Sequence, residues 1–182
     1  MSIGSVRALV PTLQTQPLTP EGFAPYGQVI AVPSNPSTSG VSANQGTATR
    51  INYVARVDNL RPDSAKANMC VFRSIPRAMP FEMKLIERHL YSTQAFIPMS
   101  AESKRYLVIV ARNGADDRPD LTTLAAFIAT NTQGISYDAG CWHHPMVALD
   151  YATDFAVLVH EDNTSDDCHV VDIEPSIMIH TE

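Results

Sequence analysis

Residues 81–89 read Phe-Glu-Met-Lys-Leu-Ile-Glu-Arg-His, and residues 90–98 continue Leu-Tyr-Ser-Thr-Gln-Ala-Phe-Ile-Pro. Successive side chains of an extended chain point to opposite faces, so alternation sets Phe81, Met83, Leu85, Glu87 and His89 on one face of a strand. That face begins apolar and ends polar. Directed into a barrel, its apolar members pack the closed end while Glu87 and His89 reach the open mouth, the usual ligand position in a small barrel. Gln94 comes five residues after His89, and polar residues spaced x, x+2 and x+7 across a strand, a turn and the next strand can converge on one point. The bland alternative pairs Glu87 with Arg88 or Lys84 at the surface and leaves His89 capping a turn.

Residues 137–145, Tyr-Asp-Ala-Gly-Cys-Trp-His-His-Pro, form a second polar cluster. Gly140 supplies a turn, Pro145 removes a ladder donor, and adjacent histidines in a strand face opposite ways. One histidine at most then turns inward. His143 is preferred, because Trp142 and His144 then share an outer face that an edge, loop or partner subunit would cover. The competing reading is a surface His-His pair before a proline. An anionic substrate needs a counter-charge, for which arginine offers a planar fork. Alternation turns Arg88 away from His89, so Arg50, just after the Asn44-Gln45-Gly46 turn, and Arg73, at a strand end, are preferred. Taken singly, each reads more readily as an ordinary surface arginine.

Outward from these clusters, short β-favouring runs recur between turn signals: 27–32, 51–57, 69–72, 81–89, 95–99, 106–111, 135–137, 146–149 and 155–160. Many short, regularly punctuated strands favour a sandwich or barrel over alternating βαβ units. Thr19 reads as the N-cap of a short helix or turn, with Pro20 at its first position. Residues 33–46, rich in Ser, Pro, Asn, Thr and Gly, read as a surface loop, a candidate to close over a site. Leu121 to Thr130 fits a helical period and a buried strand equally. Residues 174–182 read as a tail or edge element.

The 182 residues are near the usual size of one domain, long enough to bury roughly 70% of the unfolded surface. A hydrophobic share of 45%, a charged share of 18% and a net charge of -6 describe a compact globular chain repelled by nucleic acid and anionic lipid. Three widely spaced cysteines, Cys70, Cys141 and Cys168, fit neither a disulfide framework nor a zinc knot, and read as reduced cytoplasmic thiols. Cys141 reads as buried filler. No secretory core or membrane-spanning run is legible. Phosphate loops, GxSxG and HExxH are absent from the sequence.

The two clusters together resemble a cupin. Glu87-x-His89-x4-Gln94 keeps the spacing of the first cupin metal motif, H-x-H-x4-E, with Glu for the first His and Gln for the final Glu. Asp138-x-Gly140-x2-His143 keeps the P-x-G-x2-H of the second, with Asp for Pro. More specifically, Glu-Arg-His at 87–89, Ser-Thr-Gln-Ala-Phe-Ile-Pro at 92–98, Pro-Asp-Leu at 119–121, Ala-Phe-Ile at 126–128, Gly-Ile-Ser-Tyr at 134–137 and Gly-Cys-Trp-His-His-Pro at 140–145 resemble the ureidoglycolate lyase family. The similarity runs from about Leu18 to Ile173 and takes in the opening Leu-Thr-Pro-Glu-Gly-Phe-Ala-Pro-Tyr-Gly, the Asn-Gln-Gly turn with Arg50, and Asp154-Phe155. Leu90 and His169 depart from it.

The resemblance implies an all-β, cupin-like barrel or jelly roll with few short helices, usually a homodimer. It also implies cleavage of ureidoglycolate to glyoxylate and urea in allantoin degradation, without net hydrolysis. On that basis His89, His143 and Gln94 are the catalytic candidates, with His89 and His143 as proton-transfer pair or metal ligands. Arg50 or Arg73 would hold the substrate carboxylate, and Gln94 and Asn44 the ureido group. No cofactor is required. Glu87, His89, Gln94 and His143 would hold a divalent metal only weakly or optionally, nickel or manganese, because the substitutions lower the nitrogen count and the charge. Two other functions compete: a metal-dependent amidohydrolase releasing ammonia from ureidoglycolate, and a non-catalytic cupin sensing a small carboxylic acid.

Overall fold

The computed structural model describes residues 2–7 and 12–181. In chain order its strands are β1 (Ser2–Arg7), β2 (Thr12–Pro17), β3 (Gly27–Ile30), β4 (Val41–Ala43), β5 (Ala48–Arg50), β6 (Lys66–Ser74), β7 (Phe81–Arg88) and β8 (Gln94–Pro98). They continue with β9 (Arg105–Asn113), β10 (Pro119–Thr130), β11 (Gly134–Tyr137), β12 (Trp142–His143), β13 (Val147–Ala148), β14 (Thr153–Glu161) and β15 (His169–His180). Two four-residue helices, α1 (Pro20–Phe23) and α2 (Pro36–Ser39), complete the mainly β chain. The all-β, cupin-like expectation therefore holds.

The first sheet runs β1-β15-β2-β10-β9-β12-β7, and β7 pairs back onto β15, so six strands close into a barrel. A second sheet, β3-β11-β8-β14-β6, lies against its wall, and β4 with β5 forms a separate hairpin. Strand β9 explains how the two are joined. Its run Tyr106 to Ala111 is buried on both faces, the near-continuous hydrophobic pattern of a strand covered on each side. Leu107, Ile109 and Ala111 enter the barrel core with Met83, Ile86, Trp142, Val171 and Ile179. Tyr106, Val108 and Val110 face the other way, into a core shared with Phe96, Ile135, Tyr137, Phe155 and Val157 of the second sheet. Helix α1 starts as the sequence predicts: Thr19 Oγ1 accepts from Gly22 N–H at 3.0 Å, and Phe23 docks into that second core.

Alternation from Phe81 to His89 fails midway. Leu85 lies opposite Asp172 and Met83 opposite Ile177, so five residues of β15 span what two of β7 span, a bulge that re-aims both strands. Met83 and Ile86 both point into the barrel, and Arg88 follows, buried over the Trp142 ring at 4.5 Å. Glu87 and His89 are thereby turned outward, toward the second sheet instead of the barrel mouth. Trp142 and His144 do share a face, but it is the barrel side: Trp142 is fully buried there and His144 packs edge-on against Phe81 at 5.0 Å.

Other expectations change too. Residues 51–57 form no strand; Arg56 instead ties the segment to β3 and β11, its N–H donating to Gln28 Oε1 and its carbonyl accepting from the Ser136 hydroxyl. Leu121 to Thr130 is strand, since its two sides are claimed by two cores. Residues 33–46 carry α2, β4 and a tight turn, not an unstructured loop. Residues 174–180 complete β15, held between β7 and β2, because Ile177 and Ile179 fill the barrel.

Arg88 closes one end of the barrel by donating to both Asp117 carboxylate oxygens, at 2.7 and 2.9 Å, and to Asn113 Oδ1 at 2.9 Å. The Arg88 bonds, then the Asn113 bond, hold the Asp117 carboxyl far below the ordinary range. A depressed folded-state pKa stabilises above the unfolded value, about 4, and that stability is lost as pH falls toward the folded one. Asp117→Asn should therefore narrow its Tm deficit relative to wild type as the pH drops below about 4, and asparagine tolerates the φ of 61° found there. Parallel melts from pH 5 to 2 check this; a constant deficit would count against it.

Candidate functional site

Polar side chains from four strands and one connection meet between the barrel wall and the second sheet. His143 and Glu87 are in register on neighbouring β12 and β7, with Nε2 and Oε1 3.7 Å apart. His89 follows β7, its ring nearly parallel to that of His143 at 5.7 Å. Tyr137 of β11 stacks on His143 at 4.0 Å with 10° between planes, and Gln94 of β8 lies opposite Tyr137, sharing its face. From the β14–β15 connection, Cys168 brings its Sγ to 3.7 Å from Glu87 Oε2. Gly140, at φ +80°, turns the chain so that its N–H donates to the His89 carbonyl at 2.8 Å, fastening the two sequence motifs together.

The backbone sets the histidine tautomers. His89 Nδ1 lies 2.7 Å from the Asp167 carbonyl oxygen, and His143 Nδ1 lies 3.0 Å from that of Cys141. A carbonyl only accepts, so each Nδ1 carries the hydrogen and each Nε2 presents a lone pair. Burial lowers the His89 pKa against the opposing Asp167 hydrogen bond, and burial, with the His89 ring beside it, pushes His143 down to about 3. Both imidazoles are neutral near pH 7, so the 3.7 Å approach of His143 to Glu87 is not an ion pair. Burial raises Glu87, partly offset by the hydrogen bond from the Cys168 thiol; burial and then the Glu87 charge push Cys168 up to about 12.

His143 Nε2, Gln94 Oε1 and Tyr137 Oη are buried with no hydrogen-bond partner. Leaving such a group unpaired costs about 1–3 kcal/mol, so three in one neighbourhood mark the place as a candidate polar binding site, called the recess below.

His89, His143, Gln94 and Glu87, named from the sequence, thus come together. Arg73 does not join them. It donates twice to Asp154, at 2.7 Å each, and Asp154 lies five residues before Val159, the partner of Gln94, which is about 16 Å along a strand. Asn44 and Arg50 sit on the β4–β5 hairpin, where Arg50 is exposed with no ion pair among the described residues. Sequence reasoning missed Tyr137, whose apolar neighbours make it look like core, and Cys168. It also missed Arg61, which pairs with Asp162 at 2.9 Å and with Asp167 while lying 4.7 Å over the Tyr91 ring. Arg61 thereby fixes the connection whose carbonyl orients His89.

The residues present fit a metal. The donor atoms of Glu87, His89 and Cys168 all lie within 4.8 Å of one another, and the unpartnered His143 Nε2 is adjacent.

Comparison with known proteins gives one consistent result. A family model described as ureidoglycolate lyase matches residues 10–180. A ureidoglycolate lyase of Burkholderia cepacia is 40% identical over 164 residues, covering 90% of this chain and 88% of its own length. One of Schizosaccharomyces pombe is 36% identical over 182 residues, covering 92% and 94% respectively. One of Salmonella newport is 38% identical over 161 residues, covering 88% and 94%.

Proposed function

The chain belongs to the ureidoglycolate lyase family, and we propose that it releases glyoxylate and urea from ureidoglycolate in the recess between barrel and second sheet. It is a lyase acting on ureidoglycolate. The observation that carries the site assignment is the pair of neutral imidazoles, each with its Nε2 lone pair free. Ureidoglycolate bears a hydroxyl, a carboxylate and a ureido nitrogen on one carbon. As the hydroxyl proton leaves, the carbonyl of glyoxylate forms, the C–N bond breaks, and the departing nitrogen needs a proton to leave as urea. An Nε2 of His89 or His143 takes the first proton, and the pair returns one to the nitrogen, so no water is added. Positioned proton transfer of this kind contributes roughly 10²- to 10⁴-fold.

Gln94 Oε1 accepts from a ureido N–H, and the Tyr137 hydroxyl donates to the ureido carbonyl, which satisfies two of the orphaned groups. Asn44 assists from the hairpin. Arg50 takes the carboxylate, a role favoured over Arg73 because both oxygens of Asp154 already occupy the Arg73 fork. A divalent metal is optional. When bound to Glu87, His89 and His143 it would supply positive charge beside the substrate oxygens, with Gln94 as a further oxygen donor. A cytoplasmic homodimer in allantoin breakdown agrees with the free cysteines and with Val71 and Ile97, exposed on the second sheet either side of Ala156. No helix among the described residues is long and apolar enough to cross a membrane.

Incubation with ureidoglycolate should yield urea and glyoxylate in equal amounts without ammonia. Ammonia as product would transfer the assignment to an amidohydrolase, and glyoxylate binding without turnover to a sensor. Tyr137→Phe tests the recess: removing an unpartnered hydroxyl should leave stability unchanged or raise it by about 1 kcal/mol, while kcat/KM falls about tenfold for the lost hydrogen bond. Loss of stability with intact kcat/KM would make that hydroxyl merely structural.

A further inference from the structure

We propose that Cys168 is a metal ligand, forming with Glu87 and His89 a three-donor centre that takes zinc or another thiophilic divalent ion. Cys168 lies outside both sequence motifs and reaches the recess only because the β14–β15 connection folds back over the end of β7. Its Sγ is 3.7 Å from Glu87 Oε2, and the donor atoms of Glu87, His89 and Cys168 lie within 4.8 Å of one another. Tetrahedral zinc with sulfur, nitrogen and oxygen donors holds them roughly 3.3–3.8 Å apart, a small side-chain adjustment from this arrangement.

Three further features favour the centre. The Nδ1–H of His89 donates to the Asp167 carbonyl, the hydrogen bond that typically orients a metal-bound imidazole, and it leaves the Nε2 lone pair as the nitrogen available to a metal. A carboxylate and a thiolate together match the charge of a divalent cation, which displaces the thiol proton as it binds. Fully buried His143, with an unpartnered Nε2 3.7 Å from Glu87 Oε1, stands beside the fourth position as a proton acceptor. Three protein donors with a fourth position left to water or substrate is the usual form of a catalytic zinc site. The thiolate also decides the metal class. Soft sulfur favours zinc or cobalt over manganese or magnesium, which the oxygen-richer set of Glu87, His89, Gln94 and His143 would not discriminate. Cys70 and Cys141 pack in the second core, and neither joins a cluster of metal donors among the described residues.

The inference does not rest on the proton-transfer roles. With metal in place His89 Nε2 is occupied, and His143 remains the one free imidazole of the pair. The test uses full-length protein stripped with chelator, then titrated separately with zinc and cobalt(II). About one equivalent of zinc should bind, and cobalt should give a thiolate-to-metal charge-transfer band in the near ultraviolet. Cys168→Ser should abolish the band and weaken zinc at least tenfold, while Cys70→Ser retains both. In wild-type protein zinc should shield Cys168 from alkylation, mapped by mass spectrometry, which keeps the test decisive if Cys168→Ser misfolds. Absence of the band in wild type, its persistence in Cys168→Ser, or an unchanged Cys168 alkylation rate overturns the proposal. Urea release without zinc binding refutes only this centre; zinc binding without urea release refutes only the assigned reaction.

Discussion

His143→Asn is expected to lower kcat/KM on ureidoglycolate by roughly 10²- to 10⁴-fold while the protein still folds. Asparagine retains a side-chain N–H that can reach toward the Cys141 carbonyl, so the substitution removes the Nε2 lone pair with less disturbance than alanine. It also removes the parallel contact with Tyr137, and such ring pairs contribute about 0.5–1.5 kcal/mol beyond area burial, a tolerable loss for a domain of this size. Steady-state kinetics beside a circular-dichroism melt separates the two effects. Activity within threefold of wild type, with an unchanged melt, would remove His143 from the proton-transfer pair.

Arg88→Ala should have the largest effect on stability, about 3 kcal/mol, which for a domain this size lowers Tm by roughly 6–12 °C. The cause is packing more than charge. Asp117, the carboxylate left behind, keeps 67% of its side chain exposed and would be rehydrated, so no stranded buried ion results. By contrast, Arg88 is itself 1% exposed and fills the barrel end over Trp142, whose indole N–H shares Asn113 Oδ1 with it. Alanine empties that space. Arg88→Lys should recover part of the loss by refilling it, but without the fork that engages both Asp117 oxygens. A Tm change below about 2 °C for Arg88→Ala would contradict this account.

Local parity was legible in the sequence; long-range parity was not. That Arg88 opposes His89, and Trp142 opposes His143, follows from neighbouring residues and holds in the structure. Extending alternation from Phe81 to His89 fails because the correction lies in β15, where extra residues between Asp172 and Ile177 re-aim β7 from across the sheet. Likewise, the strand from Pro119 to Thr130 could not be distinguished from a helix, because apolar side chains on both of its faces erase the period-2 signal. Gln94 was found through its spacing from His89. Cys168 was not, since 81 positions separate it from Glu87 and only the folded connection joins them. Arg73 looked suitable as a strand-end cation, but the residue opposite it on β14, Asp154, already pairs with it.

The double-sided burial of β9 makes the barrel and the proposed catalytic recess one packed unit. A partition with a hydrophobic core on each side has no solvent-facing side on which change is inexpensive, so a substitution that loosens the barrel alters the ground on which His143 and Tyr137 stand. Room for change therefore lies away from that wall, as on the exposed β4–β5 hairpin, whereas the barrel staves behind the recess are constrained by the demands of folding.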